Sequence, residues 1–327
     1  MGKRVALVLG SGGARGYAHI GVIEALEKRG YEIGCIAGCS MGAVVGGIYA
    51  SGQLPAYKAW IESLDYLDVL RLLDVSFRLG AIRGEKVFGK IRELLGEINI
   101  EDLPIPFTAV ATDLTNHQEI WFQEGCLHRA MRASAAIPTL FTPVVQGNRI
   151  LVDGGLLNPL PIVPVVSAHC DLIVAVNLNA ANQMQYQLPV IERPQLLKTK
   201  FDYMLNHIGS KLPFRKNSDP DTVGISPQEL DHKLKTSPSP APLQSATGTH
   251  ELQSTGPASL LELVNQSFEA MQSSLAQYKI AGYPPDILIN FPKRVCRFFE
   301  FYKAQELILL GERIAHDTLD RYEEHHH

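Results

Sequence analysis

Two short apolar runs near the start of the chain, Val5–Leu9 and Ile33–Ala37, each lead into a glycine-rich turn and then into residues with helical spacing. A short run without polar alternation fits a strand buried on both faces, the usual state in a parallel sheet. After the first run, Ala18, Val22, Ile23 and Leu26 share one helical face, and Glu24, Glu27 and Lys28 share the other. Gly30 follows where a helix end favours glycine. After the second run, Met41–Ala50 reads as a helix ending near Gly52 and Pro55. Strand, helix, strand, helix in this order points to crossover connections and a doubly wound α/β sheet.

The rest of the chain keeps this rhythm with one interruption. Further strands are expected at Phe107–Ala111, Ile120–Phe122, Ile150–Val152, Leu172–Leu178 and Asp286–Asn290. Leu54 to Gly96 reads as mostly helical, Ser259–Tyr278 as a long amphipathic helix, and a last helix carries Leu307, Leu310 and Ile314 on one face. Residues 183–257 break the pattern. Prolines 213, 220, 227, 238, 240, 242 and 257 stand among Ser, Thr, Asp and Lys, a composition too polar to offset the entropy of ordering. A mobile insertion is expected there, within a single domain spanning 3–320; its composition fits an active-site lid and a plain insert alike. Residues 323–327 read as a tag remnant, so His325, His326 and His327 carry no metal argument.

Composition narrows the function classes. With 34 acids against 30 bases the net charge is −4, which argues against nucleic acid as the main partner. Ile33–Tyr57 holds no charge, but its six glycines, Ser40, Ser51, Gln53 and Pro55 suit a buried strand–turn–helix better than a membrane span. The five cysteines, at 35, 39, 126, 170 and 296, contain no C-x-x-C pair. Free thiols in a reducing cytoplasm are expected, and no secretion signal is visible at the N-terminus.

The turns carry the chemistry. Gly38-Cys39-Ser40-Met41-Gly42 is a G-x-S-x-G between strand and helix, where small flanking residues let a serine oxygen project from the top of a sheet. The same glycines would also suit a packing turn. Gly10-Ser11-Gly12-Gly13-Ala14-Arg15-Gly16 opens the first helix, and such a loop can point backbone N–H groups at an anion. That anion could be a dinucleotide pyrophosphate, as in an oxidoreductase, or the oxyanion of an acyl intermediate. A dinucleotide site wants an acid at the end of the second strand, and Gly38-Cys39-Ser40 occupies that place, which favours the oxyanion reading.

A serine nucleophile needs a base. None of the late histidines, His169, His207, His232, His250 and His316, has a motif around it. Asp153, followed by Gly154 and Gly155 at the end of an expected strand, is the better candidate, although Asp-Gly-Gly is also a common turn. His19 sits on the first helix and is expected to make a structural hydrogen bond. Cys39 is expected to point away from Ser40.

As an ordered set these motifs resemble the patatin-like phospholipases, in particular the short bacterial members. Gly10–Gly16 resembles that family's oxyanion loop, Gly38–Gly42 its nucleophile motif, and Asp153-Gly154-Gly155 its D-G-[AG]. Arg132–Pro138, Ala111–Leu114 and the Glu306–Ala315 helix with Gly311 are similar to further family segments. The resemblance covers 3–182 well and 258–320 more loosely. It implies a three-layer α/β/α fold with a mostly parallel central sheet and a Ser–Asp dyad in place of a triad. Ser40 would be the nucleophile and Asp153 the base, with Gly12 and Gly13 N–H groups as the oxyanion hole and Arg15 positioning the loop. A lipid or lysolipid ester is then the expected substrate, with transient contact at the inner face of a membrane. Neither metal nor cofactor is called for. A catalytically idle, regulatory member with the same residues is the competing expectation. Ala133–Asn148 and Met41–Tyr57 are candidate walls of an acyl slot, or simply core.

Overall fold

The computed structural model describes residues 2–72, 75–76, 81–82, 84–138, 141–181, 184–191 and 260–326. The expected mobile insertion lies almost wholly outside the described residues. Its first part, 184–191, runs without helix or strand, and the Tyr186 hydroxyl donates to Asp317 at 2.9 Å.

The strands are β1 (Arg4–Leu9), β2 (Glu32–Cys39), β3 (Val75–Ser76), β4 (Ala81–Ile82), β5 (Phe107–Asp113), β6 (Gln118–Phe122), β7 (Val144–Gln146), β8 (Arg149–Asp153), β9 (Leu172–Ala180) and β10 (Ile287–Pro292). The helices are α1 (Ala18–Lys28), α2 (Met41–Ala50), α3 (Leu54–Ser63), α4 (Tyr66–Leu72), α5 (Glu85–Leu95), α6 (Leu127–Ser134), α7 (Leu260–Gly282) and α8 (Ala304–His326). The main sheet runs β10-β9-β1-β2-β5-β8-β7, with β6 also paired to β5. β10, β9, β1, β2 and β5 are parallel; β6, β7 and β8 join antiparallel.

Burial explains why β1 reads as an unbroken apolar run. Val5, Leu7 and Leu9 face α1, α2 and α8, and Ala6 and Val8 face Leu160, Ile162, Val165 and Ala276 of α7. Helices therefore cover both faces, giving the three-layer α/β/α arrangement with a mostly parallel sheet. The larger side chains of β1 fill the α1/α8 face and the smaller ones the α7 face, so α7 can lie close. Among the described residues no helix is long and apolar enough to cross a membrane.

Three local differences from the sequence reading have physical causes. The chain after β1 does not enter an α-helix at Gly16 but makes a tight turn over Gly13–Tyr17 first, because Gly13 takes φ +55° and the Arg15 side chain ties back to the Gly12 carbonyl. β2 extends to Cys39, since Gly38 and Cys39 continue the ladder against Ala109 and Val110. Residues 144–146, unassigned in the sequence, form β7 because they pair with 149–151 in a hairpin.

α1 and α8 cross at two glycines. A side chain at Gly311 would overlap the Ala18 carbonyl, and one at Gly21 would overlap the Ile308 carbonyl. Gly311→Val should therefore destabilise the fold by at least ~2 kcal/mol through overpacking. Its urea midpoint should fall below that of wild type while an exposed α8 substitution, Leu309→Gln, leaves the midpoint nearly unchanged.

Candidate active site

β5 brings two motifs together. β2 runs parallel to β5 and ends with Cys39 opposite Val110, and β8 runs antiparallel and ends with Asp153 opposite Ala111. The two strands thus approach each other head-on at adjacent positions of β5. The residue after Cys39 is Ser40, whose Oγ donates to Asp153 Oδ2 at 2.5 Å.

Ser40 holds φ 56° and ψ −126°, a left-handed conformation costly for any residue with a Cβ. The strain persists because its neighbours over-determine it. Ser40 N donates to Ser134 Oγ at 2.9 Å, and Ser134 Oγ donates in turn to the Val110 carbonyl at 2.6 Å. Glycine at 42 is required by close approach, since any side chain there would overlap the Leu9 carbonyl, and Gly16 lies against Met41 in the same way. Gly38 sits opposite Ala109.

Asp153 is buried, with its N–H on the Ala136 carbonyl at 2.9 Å and its Oδ1 accepting from Gly155 N at 2.7 Å. Gly154 begins the turn and packs against the Val110 carbonyl. Burial pushes the Asp153 carboxyl up to about 7, against the lowering effect of the Ser40 hydroxyl and the Gly155 N–H. A carboxylate in so dry a site is a far stronger base than one in water.

The first glycine loop is anchored from below. Gly10 N donates to the Val176 carbonyl and Ser11 N to the Pro159 carbonyl. Ala14 N donates to the Phe298 carbonyl at 2.9 Å, and Phe298 packs against Gly13. Among the described residues neither Gly12 N nor Gly13 N donates to a backbone carbonyl. Arg15 is fully buried and donates to the Gly12 carbonyl (3.1 Å), the Lys293 carbonyl (2.8 Å) and Glu269 of α7 (2.7 Å). Its guanidinium is thus committed to holding the loop rather than to contacting a ligand.

Among the described residues no histidine takes part in this arrangement. His19 Nε2 lies 2.8 Å from the Gly10 carbonyl, which can only accept, so that nitrogen carries the proton; burial pulls the ring down to about 4 and keeps it neutral. His316, on α8, accepts from Arg29 at the end of α1, and His169 is exposed. His207, His232 and His250 lie outside the described residues. Cys39 turns its sulfur toward Gly154, and burial keeps its thiol protonated. Among the described residues no group of three His, Cys, Asp or Glu could hold a metal.

Ser40 opens on a narrow pocket of about 60 Å³ whose lining is almost wholly apolar. Met41, Val44, Tyr57, Ala135, Ile137 and Phe141 come from the two stretches singled out in the sequence; α3, α4 and α5 add Trp60, Val69 and Ile91 among others, and Tyr17 and Phe301 complete the wall. Tyr17 and Tyr57 are both buried in that wall.

Two supporting residues, Glu269 and Gln272, had no signal in the sequence, and Ser134 lay within the Arg132–Pro138 segment without a role of its own. Glu269, Gln272, Ser273 and Ala276 form one face of α7. Glu269 holds Arg15, Gln272 fills the space where Gly155 would otherwise carry a side chain, and Ser273 donates to the Asn179 carbonyl. Their helical spacing marks a face, but only the folded structure shows that the face meets two glycine turns.

The raised Asp153 carboxyl has a cost to the fold. The native state holds this proton more tightly than the unfolded chain, so the stability it lends is complete below about 4 and is lost as pH rises through about 7. Asp153→Asn should therefore be more stable than wild type at pH 8.5, by up to roughly 4 kcal/mol. That advantage should shrink toward pH 5, as read from denaturant midpoints across the pH range.

Comparison with known proteins identifies the family. The patatin-like phospholipase family model matches residues 7–166, a span containing Gly10–Gly16, Gly38–Gly42 and Asp153–Gly155. An uncharacterized NTE family protein of Mycobacterium tuberculosis is 39% identical over 98% of this chain and 92% of its own length. Lysophospholipase NTE1 of Saccharomyces cerevisiae is 30% identical over 55% of this chain and 11% of its own. Among solved structures, VipD from Legionella pneumophila aligns over 98% of this chain and 67% of its own, at 16% identity and a TM-score of 0.43. The chain belongs to the patatin-like phospholipases, alongside relatives that carry the NTE family name.

Proposed function

We propose that this protein is a serine acyl hydrolase that cleaves lipid or lysolipid esters through Ser40 and Asp153. The observation that carries the reading is the 2.5 Å bond between Ser40 Oγ and the buried Asp153 carboxylate at the end of an apolar pocket. The family match and a relative named as a lysophospholipase support the substrate class.

In this reading Ser40 Oγ attacks the ester carbonyl as its proton passes to Asp153 Oδ2. The carbonyl oxygen becomes an oxyanion, held by the free Gly12 and Gly13 N–H groups. Collapse breaks the ester C–O bond, and Asp153 returns the proton to the departing alcohol. A water then gives its proton to Asp153 and attacks the acyl carbon, releasing the fatty acid and restoring Ser40. The acyl chain lies against Met41, Val44 and Phe141, where burying each methylene contributes about 0.8 kcal/mol. His19 has no step, because its only bonded nitrogen faces Gly10.

Ser40→Ala and Asp153→Asn should each lower kcat on p-nitrophenyl butyrate by at least about a thousandfold while the circular dichroism spectrum stays native. Because the base must be unprotonated, kcat/KM of wild type should fall tenfold per pH unit below about 7 and level off above it. His19→Asn leaving that acid limb in place agrees with the reading. Near-normal turnover of Asp153→Asn would overturn it, and an idle protein would show no turnover in wild type.

A further inference from the structure

Residues 293–303, between β10 and α8, carry four bases against one acid in a chain whose net charge is −4. Lys303 and the acid, Glu300, pair at 2.6 Å, and Glu300 also accepts from Arg297 N and the Tyr302 hydroxyl. Lys293, Arg294 and Arg297 are left over. Among the described residues none of these three side chains makes an ion pair or donates a hydrogen bond, and Arg294 and Arg297 are exposed. Cations elsewhere, such as Lys28, Lys58, Arg92 and Lys279, have carboxylate partners.

The place of these cations gives them meaning. The backbone of the same segment forms the outer support of the glycine loop: the Lys293 carbonyl accepts from Arg15, and the Phe298 carbonyl accepts from Ala14 N. Phe298 packs on Gly13, whose N–H is one of the two free amides, and Arg297 is its chain neighbour. At the other end Phe301 lines the Ser40 pocket, edge-on to Tyr17 with ring centroids 6.0 Å apart. The segment therefore runs from the Gly13 amide to the wall of the apolar pocket, and its exposed side carries positive charge that is unpaired among the described residues.

We propose that Arg294 and Arg297, flanked by Lys293, form a subsite for the phosphate of a glycerophospholipid whose ester sits at Ser40. This rests on the hydrolase reading and adds the part of the substrate it selects. Ester and phosphate share one three-carbon glycerol, so an ester carbonyl at the Gly12 and Gly13 amides leaves the phosphate on the rim beside Phe298. A guanidinium there makes charge-assisted hydrogen bonds to phosphate oxygens, and none to a neutral glycerol hydroxyl of comparable strength. The subsite selects for phosphate-bearing lipids over neutral glycerides of equal chain length.

The test compares two monomeric substrates, hexanoyl lysophosphatidylglycerol and monohexanoylglycerol, each held well below its aggregation limit so that no lipid surface is present. The Arg294→Gln/Arg297→Gln variant should lose at least about tenfold in kcat/KM on the phosphate ester, mostly through KM. Its rate on the neutral ester should stay within about twofold of wild type. Equal losses on both, or none on either, would overturn the proposal. So would a loss confined to anionic vesicles, which would assign the cations to a membrane surface. Binding of the phosphate ester to Ser40→Ala protein, followed by calorimetry with and without the two arginine changes, needs no turnover. Arginine-dependent binding there supports the subsite even if the hydrolase reading fails, and arginine-independent or absent binding overturns it.

Discussion

β5 divides one of its edges between two strands that run toward each other, and the rest of the site depends on that division. β2 takes Phe107–Val110 in parallel, β8 takes Ala111–Asp113 antiparallel, and neither can extend without colliding with the other. Each strand must therefore leave the sheet where it meets its opponent. Ser40 leaves by a sharp turn into α2, and Gly154 leaves by a turn toward Asn158, whose N–H closes it on the Gly154 carbonyl at 2.8 Å. The hydroxyl and the carboxylate face each other because two ladders end on adjacent residues. A one-residue slip of either ladder would turn its terminal side chain to the opposite face of the sheet.

Such an arrangement is expensive to hold. It places a strained serine and a carboxylate out of contact with water, and each needs bonds to offset the loss. The offsets are local and identifiable: Ser134 bridges Ser40 N to the Val110 carbonyl, the Ala136 carbonyl takes Asp153 N, and Gly155 N takes Asp153 Oδ1. α7 secures the outer side, holding Arg15 through Glu269 and filling the gap over Gly155 with Gln272. The same dryness that costs stability raises the carboxyl to about 7, where it can accept a proton near neutral pH.

The parts legible in the sequence are those whose reasons are local. Gly10–Gly16 and Gly38–Gly42 announce themselves because the turns after β1 and β2 need glycines within a few residues of each other, and β1 itself is a plain apolar run. Asp153 could be read from Gly154 and Gly155, but its partnership with Ser40, 113 residues away, rests on the β5 register and had to come from structure or from family likeness. The roles of Ser134, Glu269 and Gln272 were not legible, even though Ser134 lies in the family-like segment Arg132–Pro138, because a serine at a helix end and a glutamate on an amphipathic face look the same whatever they touch. The turn at Gly13–Tyr17 is not legible for a similar reason, since the Arg15 bonds that shape it reach to Lys293 and Glu269. The cations at 293–303 were visible as letters, yet only their contact with the glycine loop gives them a role to test.

The central claim is that Ser40 is activated by Asp153 alone. It is tested most directly by reacting wild-type and Asp153→Asn protein with a fluorophosphonate probe and mapping the modified peptide. The account predicts a single label on Ser40 in wild type and its loss in Asp153→Asn. A label on another serine, or labelling of Ser40 at an undiminished rate without the Asp153 carboxylate, would contradict it.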